Sequence, residues 1–314
     1  MKIFWRFLKS FIILFCLNIK TQATEISPYI GFGNDIFSFS IDELGQEAPP
    51  INYEPNIPGL TRLGLSAWGL GASVTFRGDV KELDPAKGSS RFIDYQLNYH
   101  NNRWGIDSYA QSYDGFFVKN SSQIGKTDGS YFLYPDLHFA HYGLMARYAL
   151  SDSKFSIAGL LNQSDEVSQT AGSYFLVGGI QQYRLSSDQT FIPTSMQNKN
   201  SDMDNLRELK STTVNLGLGA GKYWVSENKF FIGLVFDLLG TYGIYNYKLT
   251  TQSMQSSYST LSYNIKAGFG YSGENWKSGI SLYNDVTTLR GLNNSLIKPS
   301  AISLMAYFRY VFKD

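Results

Sequence analysis

The feature that most limits what this chain can fold into is a recurring alternation of apolar and polar residues at period two, with no run of 18 apolar residues anywhere after the N-terminal segment. Alternation at period two sends successive side chains to opposite faces of an extended strand, so each such segment carries one apolar and one polar or small face. In 301–314, Ile302, Leu304, Ala306, Phe308, Tyr310 and Phe312 point one way, while Ser303, Met305, Tyr307, Arg309 and Val311 point the other. In 91–100, Ile93, Tyr95, Leu97 and Tyr99 oppose Phe92, Asp94, Gln96 and Asn98. In 258–271, Leu261, Tyr263, Ile265, Ala267, Phe269 and Tyr271 oppose Thr260, Ser262, Asn264, Lys266, Gly268 and Gly270. The same split puts Ala140, Tyr142, Leu144, Ala146, Tyr148 and Leu150 against His141 and Arg147, and Phe230, Ile232, Leu234, Phe236 and Leu238 against Asp237 and Thr241.

A soluble sandwich would turn these apolar faces into a common core and would not gather aromatic residues at strand ends. Here Tyr310 with Phe312, and Trp276 with Tyr271, stand where an aromatic girdle meets lipid headgroups. In hydrocarbon every backbone amide needs a partner, and a closed sheet is the one sheet without an edge. The expected fold is therefore all-β: a transmembrane antiparallel β-barrel of about 12 strands, within a range of about 10 to 14. The strands are expected near 26–41, 61–77, 90–100, 103–118, 136–150, 153–164, 172–185, 211–226, 229–248, 257–273, 276–290 and 300–313. Longer polar connections fall near 42–60, 78–89, 119–135, 186–210 and 291–299. An even count keeps both termini on the periplasmic side. The tight turns near 226–228 and 273–275 then fall on that side, but those at 101–102 and 151–152 fall outside. Either a strand is misassigned in each half, or two outer loops are unusually short. In the strand carrying Asn215, Gly217, Gly219 and Gly221, small residues face the lumen and permit tight curvature or close packing.

The N-terminus reads as a secretory signal. Lys2, Arg6 and Lys9 precede the apolar run Ser10–Leu17, and Thr21-Gln22-Ala23 supplies a small-residue cleavage site. The chain divides into a signal peptide, 1–23, and an outer-membrane barrel domain, 24–314, of a Gram-negative-type bacterium. Cleavage removes four of the 27 basic residues and none of the 26 acidic ones, so the mature chain is mildly acidic. That balance gives no support to nucleic-acid binding. It also removes Cys16, the one cysteine, which rules out disulfides, a Cys-zinc site and a cysteine nucleophile in the mature protein.

Catalytic signals are sparse. His138 and His141, three apart on a strand, face opposite ways and cannot ligate one metal ion. A lipid-modifying hydrolase would need Ser and His near the membrane boundary; Ser108 and Ser112 follow His100, and Asn34-Asp35 lie on the first strand, but no G-x-S-x-G marks a nucleophile. The run Gly217-Leu218-Gly219-Ala220-Gly221-Lys222 fails as a phosphate loop, since Leu216 replaces the first glycine and Tyr223 the Ser/Thr. No catalytic, metal or cofactor site is assigned. The expected lumen-lining set is Asp94, Gln96, Asn98, Asp107, Gln111, His141, Arg147, Asp237, Lys266, Asp285 and Arg309. In a lumen narrower than a 16-strand porin these groups pair with one another, or line a narrow path for a small solute. A structural or narrow-pore passive role comes first, the hydrolase second, and a surface receptor or adhesin using loops 42–60 and 186–210 third. The expected partners are outer-membrane lipid and the barrel-assembly machinery, the latter because the closing segment resembles the C-terminal recognition strand of bacterial outer-membrane proteins. Such strands commonly end on Phe; here Phe312 is followed by Lys313-Asp314.

Short motifs spread over most of the mature chain resemble a bacterial family catalogued as domain of unknown function 4421. They are Tyr53-Glu54-Pro55-Asn56 ahead of the segment 61–77, then Asp94, Asp107, Tyr113-Asp114-Gly115-Phe116-Phe117, Tyr134-Pro135-Asp136, Phe155-Ser156 and Ala171-Gly172-Ser173. The resemblance implies an outer-membrane location and brings no catalytic residues with it.

Overall fold

A computed structural model describes residues 26–43, 49–78, 84–101, 103–151, 155–163, 167–197, 202–292 and 295–312. The expected signal peptide, 1–23, and the cleavage expected after Ala23 lie outside the described residues. The strands are β1 (Ile26–Glu43), β2 (Ile51–Glu54), β3 (Leu60–Ala67), β4 (Leu70–Arg77), β5 (Arg91–His100), β6 (Trp104–Val118), β7 (Leu133–Ala149), β8 (Ala171–Ser186), β9 (Leu206–Val225), β10 (Phe230–Leu249), β11 (Ser253–Ser272), β12 (Trp276–Val286), β13 (Leu289–Arg290) and β14 (Ser295–Tyr310). One short helix, α1 (Ile157–Asn162), lies between β7 and β8. All strands except β2 and β13 form a closed antiparallel ring of 12, sealed where β1 meets β14 from Tyr29↔Arg309 to Glu43↔Ser295. Closure leaves no sheet edge unpaired, as lipid requires. β2 lies beyond the shorter β3–β5 and bridges β1 to β6.

Twelve strands agree with the sequence reading, but two assignments exchange. The segment 61–77 is two strands, β3 and β4, joined at Trp68-Gly69, and the segment 153–164 contains α1 instead of a strand. Each correction moves the intervening turns to the other end of the barrel. The turns after β3, β5, β7, β9 and β11, and both ends of the described chain, now share one end, which is the periplasmic one. The conflict at 101–102 and 151–152 thereby disappears. In addition, residues 206–210 belong to β9 and 295–299 to β14, so two connections expected to be polar loops are partly wall.

The tryptophans mark the periplasmic boundary. Trp68, Trp104, Trp224 and Trp276 all lie exposed at that end, with Phe230 and Phe312 beside them. Trp276 packs on Phe308 and Tyr310, and Tyr310 on Phe312. Amphipathic rings of this kind settle at the headgroup level.

At the other end the strands change character without changing register. On β10 the outward residues run from Phe230 through Ile232, Leu234, Phe236, Leu238 and Tyr242 to Ile244, then become Asn246 and Lys248. The inward residues do the reverse: Asp237 and Thr241 give way to Tyr245, Tyr247 and Leu249. At about 3.4 Å per residue and a tilt near 45°, Phe230 to Ile244 rises about 34 Å, enough for the hydrocarbon core and its two girdles. Above that height the wall faces water, so its apolar residues turn inward. There they form a cluster that includes Phe37, Phe39, Tyr53, Phe116, Phe139, Leu185, Leu209, Tyr245 and Tyr247.

Candidate functional site

A second apolar cluster occupies the periplasmic end of the lumen, and much of it comes from the connection between β7 and β8. Phe155, Ile157, Leu160 and Val167 pack with Phe175, Val177, Tyr223, Phe231 and Val235 of the wall. Ser156 caps α1 by accepting from the Gly159 amide at 3.1 Å, and Gln163 ends it in the left-handed region. Gln163 then donates to Tyr307 Oη and to the Ser278 carbonyl, each at 2.9 Å, while Lys277 Nζ reaches the Gln163 carbonyl at 3.3 Å. The wall leaves room for this plug through inward glycines. A Cβ on Gly221 would lie 2.6 Å from the Phe155 ring, one on Gly233 2.6 Å from Leu160 Cδ1, and one on Gly270 2.8 Å from Gln163 Nε2.

Between the two apolar layers lies a polar chamber of about 160 Å³, room for several waters or one small polar solute. Its centre is an ion network. Arg147 of β7 donates through Nη1 to Asp107 Oδ2 at 2.7 Å, and through Nη2 and Nε to Asp237 Oδ2 at 2.8 and 3.2 Å. Lys266 Nζ stands 3.9 Å from Asp107 Oδ2, His100 Nε2 stands 3.2 Å from Asp107 Oδ1, and Asn98 donates to the same oxygen at 3.2 Å. Gly219 makes space for Asp237, because a Cβ there would collide with its carboxylate. Arg147, Lys266, Asp107 and Asp237 are thus set among opposite charges, as a low-dielectric lumen demands.

Two smaller polar groups border the same chamber. Asp94 lies 3.6 Å from Arg62 Nη2 and accepts from Gln96 at 2.7 Å. His141 stacks on Tyr183, with centroids 4.1 Å apart, and sits 3.1 Å from Tyr109 Oη, which accepts from Gln181 at 2.7 Å. Asp285 also lines the chamber and accepts from Thr287 at 3.4 Å. Gln111 lines it too.

Of the lumen set read from the sequence, the structure gathers Asn98, Asp107, Arg147, Asp237 and Lys266 into one network, and places Asp94, Gln96, Gln111, His141 and Asp285 around the same chamber. Arg309 lies elsewhere. It is buried at the periplasmic end of the closing seam, where Nη1 donates to the Ser27 carbonyl at 3.0 Å, to Ser27 Oγ at 2.6 Å and to Ser66 Oγ at 3.0 Å. Sequence reasoning missed Arg62, because it fell within a segment taken for one strand, and the tyrosines Tyr109, Tyr183 and Tyr283, which read equally well as lipid-facing. In the β5–β6 ladder Ser108 is opposite Leu97 and Ser112 opposite Ile93, whereas His100 is opposite Gly105, so alternation along β6 sends both serine side chains to the face away from His100. His138 leaves the chamber side and pairs with Asp114 at 2.7 Å.

A closed antiparallel ring with an apolar exterior, a tryptophan boundary and a charged interior defines an outer-membrane β-barrel protein. The chain belongs to the family described as Domain of unknown function (DUF4421), which it matches over residues 18–312. No curated protein matches it in sequence. Among solved structures it is similar to the outer-membrane protease OmpT from Escherichia coli, at 10% identity over 93% of this chain and 99% of that one, with a TM-score of 0.43. It is also similar to the β domain of the Bordetella autotransporter BrkA, at 15% identity over 93% and 100% of the two chains and a TM-score of 0.41. The P. putida toluene transporter TodX matches at 9% identity over 94% and 91%, with a TM-score of 0.29. These are likenesses of fold alone.

Proposed function

We propose that this protein is a non-conducting outer-membrane barrel in its resting state, with a structural role in the membrane, exported by residues 1–23 and inserted by the barrel-assembly machinery through β14. The observation that carries this reading is the pair of apolar layers on either side of the charged chamber. An open aqueous channel is lined by polar groups along its whole length, and a hydrophobic constriction opposes ion passage by dewetting. In planar lipid bilayers the mature protein is expected to give no discrete conductance steps; sustained unitary steps from the wild-type chain would overturn this reading.

A second reading is narrow-pore transport with the β7–β8 connection as a gate. It is favoured by the asymmetry of the two layers. The outer one combines wall strands, the bridging β2 and residues of several connections such as Ile124, Phe191 and Met203, whereas the non-wall part of the periplasmic one, Phe155, Ile157, Leu160 and Val167, comes from the β7–β8 connection alone. Removal of residues 155–163 tests it: conductance that appears only in the deletion supports a gate, and a silent deletion variant that still folds rejects it.

A further inference from the structure

The outer face of β8–β10 carries a group of charges at one height. Outward residues on β8 are apolar up to Ile180 and then become Gln182 and Arg184; on β9 they are apolar down to Val214 and then become Thr212 and Lys210; on β10 the change falls between Ile244 and Asn246, with Lys248 next. Arg184 is directly opposite Lys210, and Lys248 is directly opposite Glu208. Glu208 Oε1 accepts from Arg184 Nε at 2.9 Å and lies 3.1 Å from Lys210 Nζ, so the carboxylate holds two cations side by side. The group keeps an excess of two positive charges, and both Arg184 and Lys210 are about half exposed, at 47% and 49%. Two other charge groups at this end are balanced pairs, Asp42 with Lys298 and Glu54 with Lys119.

The neighbours extend the pattern. Asn246 is opposite Gln255 on β11, and Lys248 is opposite Ser253, so neutral hydrogen-bonding groups flank the cations. Directly below, Val214 and Tyr242 continue into the lipid-facing surface. A ligand matching this surface has acyl chains below, anionic groups at the boundary and a polar, hydroxyl-bearing body beside them. Phosphate suits the anionic part, since adjacent Arg and Lys side chains share its oxygens through charge-assisted bonds.

We propose that β8–β11 bind the phosphorylated sugar headgroup of an outer-leaflet glycolipid, with Arg184, Lys210 and Lys248 on its phosphates and Asn246 and Gln255 on its sugar hydroxyls. The site rests on the outer-membrane location and not on whether the lumen conducts.

Native mass spectrometry of the detergent-solubilised mature protein tests this, with three probes: bisphosphorylated lipid A, its dephosphorylated form, and phosphatidylglycerol. Lipid A is expected to bind at least about tenfold more tightly than either of the others, and raised salt to weaken it. The triple variant Arg184→Ala, Lys210→Ala, Lys248→Ala is expected to lose that preference, while Lys229→Ala at the periplasmic end keeps it. Equal binding of phosphorylated and dephosphorylated lipid A would overturn the proposal, and phosphatidylglycerol binding as tightly would overturn the assignment to a glycolipid. The comparison of probes on the wild-type protein decides these outcomes even where the triple variant does not fold.

Discussion

Gly268 of β11 and Leu160 of α1 occupy adjoining space across the lumen, with the Leu160 carbonyl oxygen so close that a Cβ on Gly268 would run into it. The glycine sits on a fully formed ladder between Gly233 and Ser281, so the wall has no slack with which to retreat. Gly268→Val is therefore expected to push the plug out of its socket. Overpacking of this kind costs about 1–3 kcal/mol. Urea unfolding should register the loss, and limited proteolysis should cut within 155–163 in the variant but not in the wild type. Gly240→Ala is the control, because the nearest atom to a Cβ there is 3.6 Å away. A variant as resistant to cleavage as the wild type would show that the plug is not held by this contact.

Arg147 is the hinge of the chamber's charge balance, at 3% side-chain exposure against 0% for Asp237. Replacing it with methionine keeps most of the volume and strands Asp237 without its ion-pair partner. Losing one member of a buried pair costs about 3–5 kcal/mol. Arg147→Met is expected to fall in that range by urea unfolding followed through tryptophan fluorescence. The double variant Arg147→Met, Asp237→Leu should recover part of the loss, since it also removes the orphaned charge. A single variant within about 1 kcal/mol of wild type would mean that the network contributes little.

The face exchange along β10 separates two substitutions of identical chemistry. Leu234→Arg puts a charge on the lipid-facing band, which near the bilayer midplane costs about 2–4 kcal/mol in a barrel. Asn246→Arg, on the same face of the same strand, lies above the change and is expected to cost less than about 1 kcal/mol. Equilibrium unfolding from lipid vesicles measures both. Similar losses at the two positions would place the membrane boundary elsewhere.

What was legible before the fold was known was whatever repeats at period two. Ile302 to Phe312, Leu261 to Tyr271 and Phe230 to Leu238 alternate over enough residues that their faces could be assigned from pattern alone, and Asp237, Lys266 and His141 followed as inward residues. The hairpin at Trp68-Gly69 was not legible because its turn lacks the usual Asn-Gly or Asp-Gly. Trp68 and Gly69 instead take φ of 54° and 74°, both positive as a two-residue hairpin of this kind requires. A tryptophan in that place reads as one more strand residue. α1 was hidden for a different reason. Phe155, Ile157 and Leu161 mimic a strand's alternation, and a six-residue helix buried inside a barrel needs no polar face to reveal its period. Its one readable sign was Ser156 as an N-cap.

The closing seam offers the most direct test of the ring itself. β1 and β14 are the most distant strands in sequence, and their pairing sets Phe32 opposite Ala306, both on the outer face. Opposed residues in an antiparallel pair have Cα atoms about 4.5–5.5 Å apart, within the reach of a disulfide. The one cysteine of the sequence, Cys16, lies outside the described residues, so Phe32→Cys with Ala306→Cys, made together with Cys16→Ser, is a clean reporter: oxidation of the folded protein is expected to link the two, and Phe32→Cys with Leu304→Cys, two residues along the same face, is expected to link far less. Arg309 reinforces the seam by bonding Ser27 of β1 and Ser66 of β3 while its guanidinium lies over the Tyr29 ring at 4.5 Å. Arg309→Leu should therefore slow cross-linking, and Arg309→Lys should not restore it, because the bonds to Ser27 and Ser66 all run from Nη1, which the shorter lysine does not reach, and an ammonium has no planar face to lay over the Tyr29 ring. Failure of the matched cysteine pair to link in folded wild-type background would refute closure between β1 and β14.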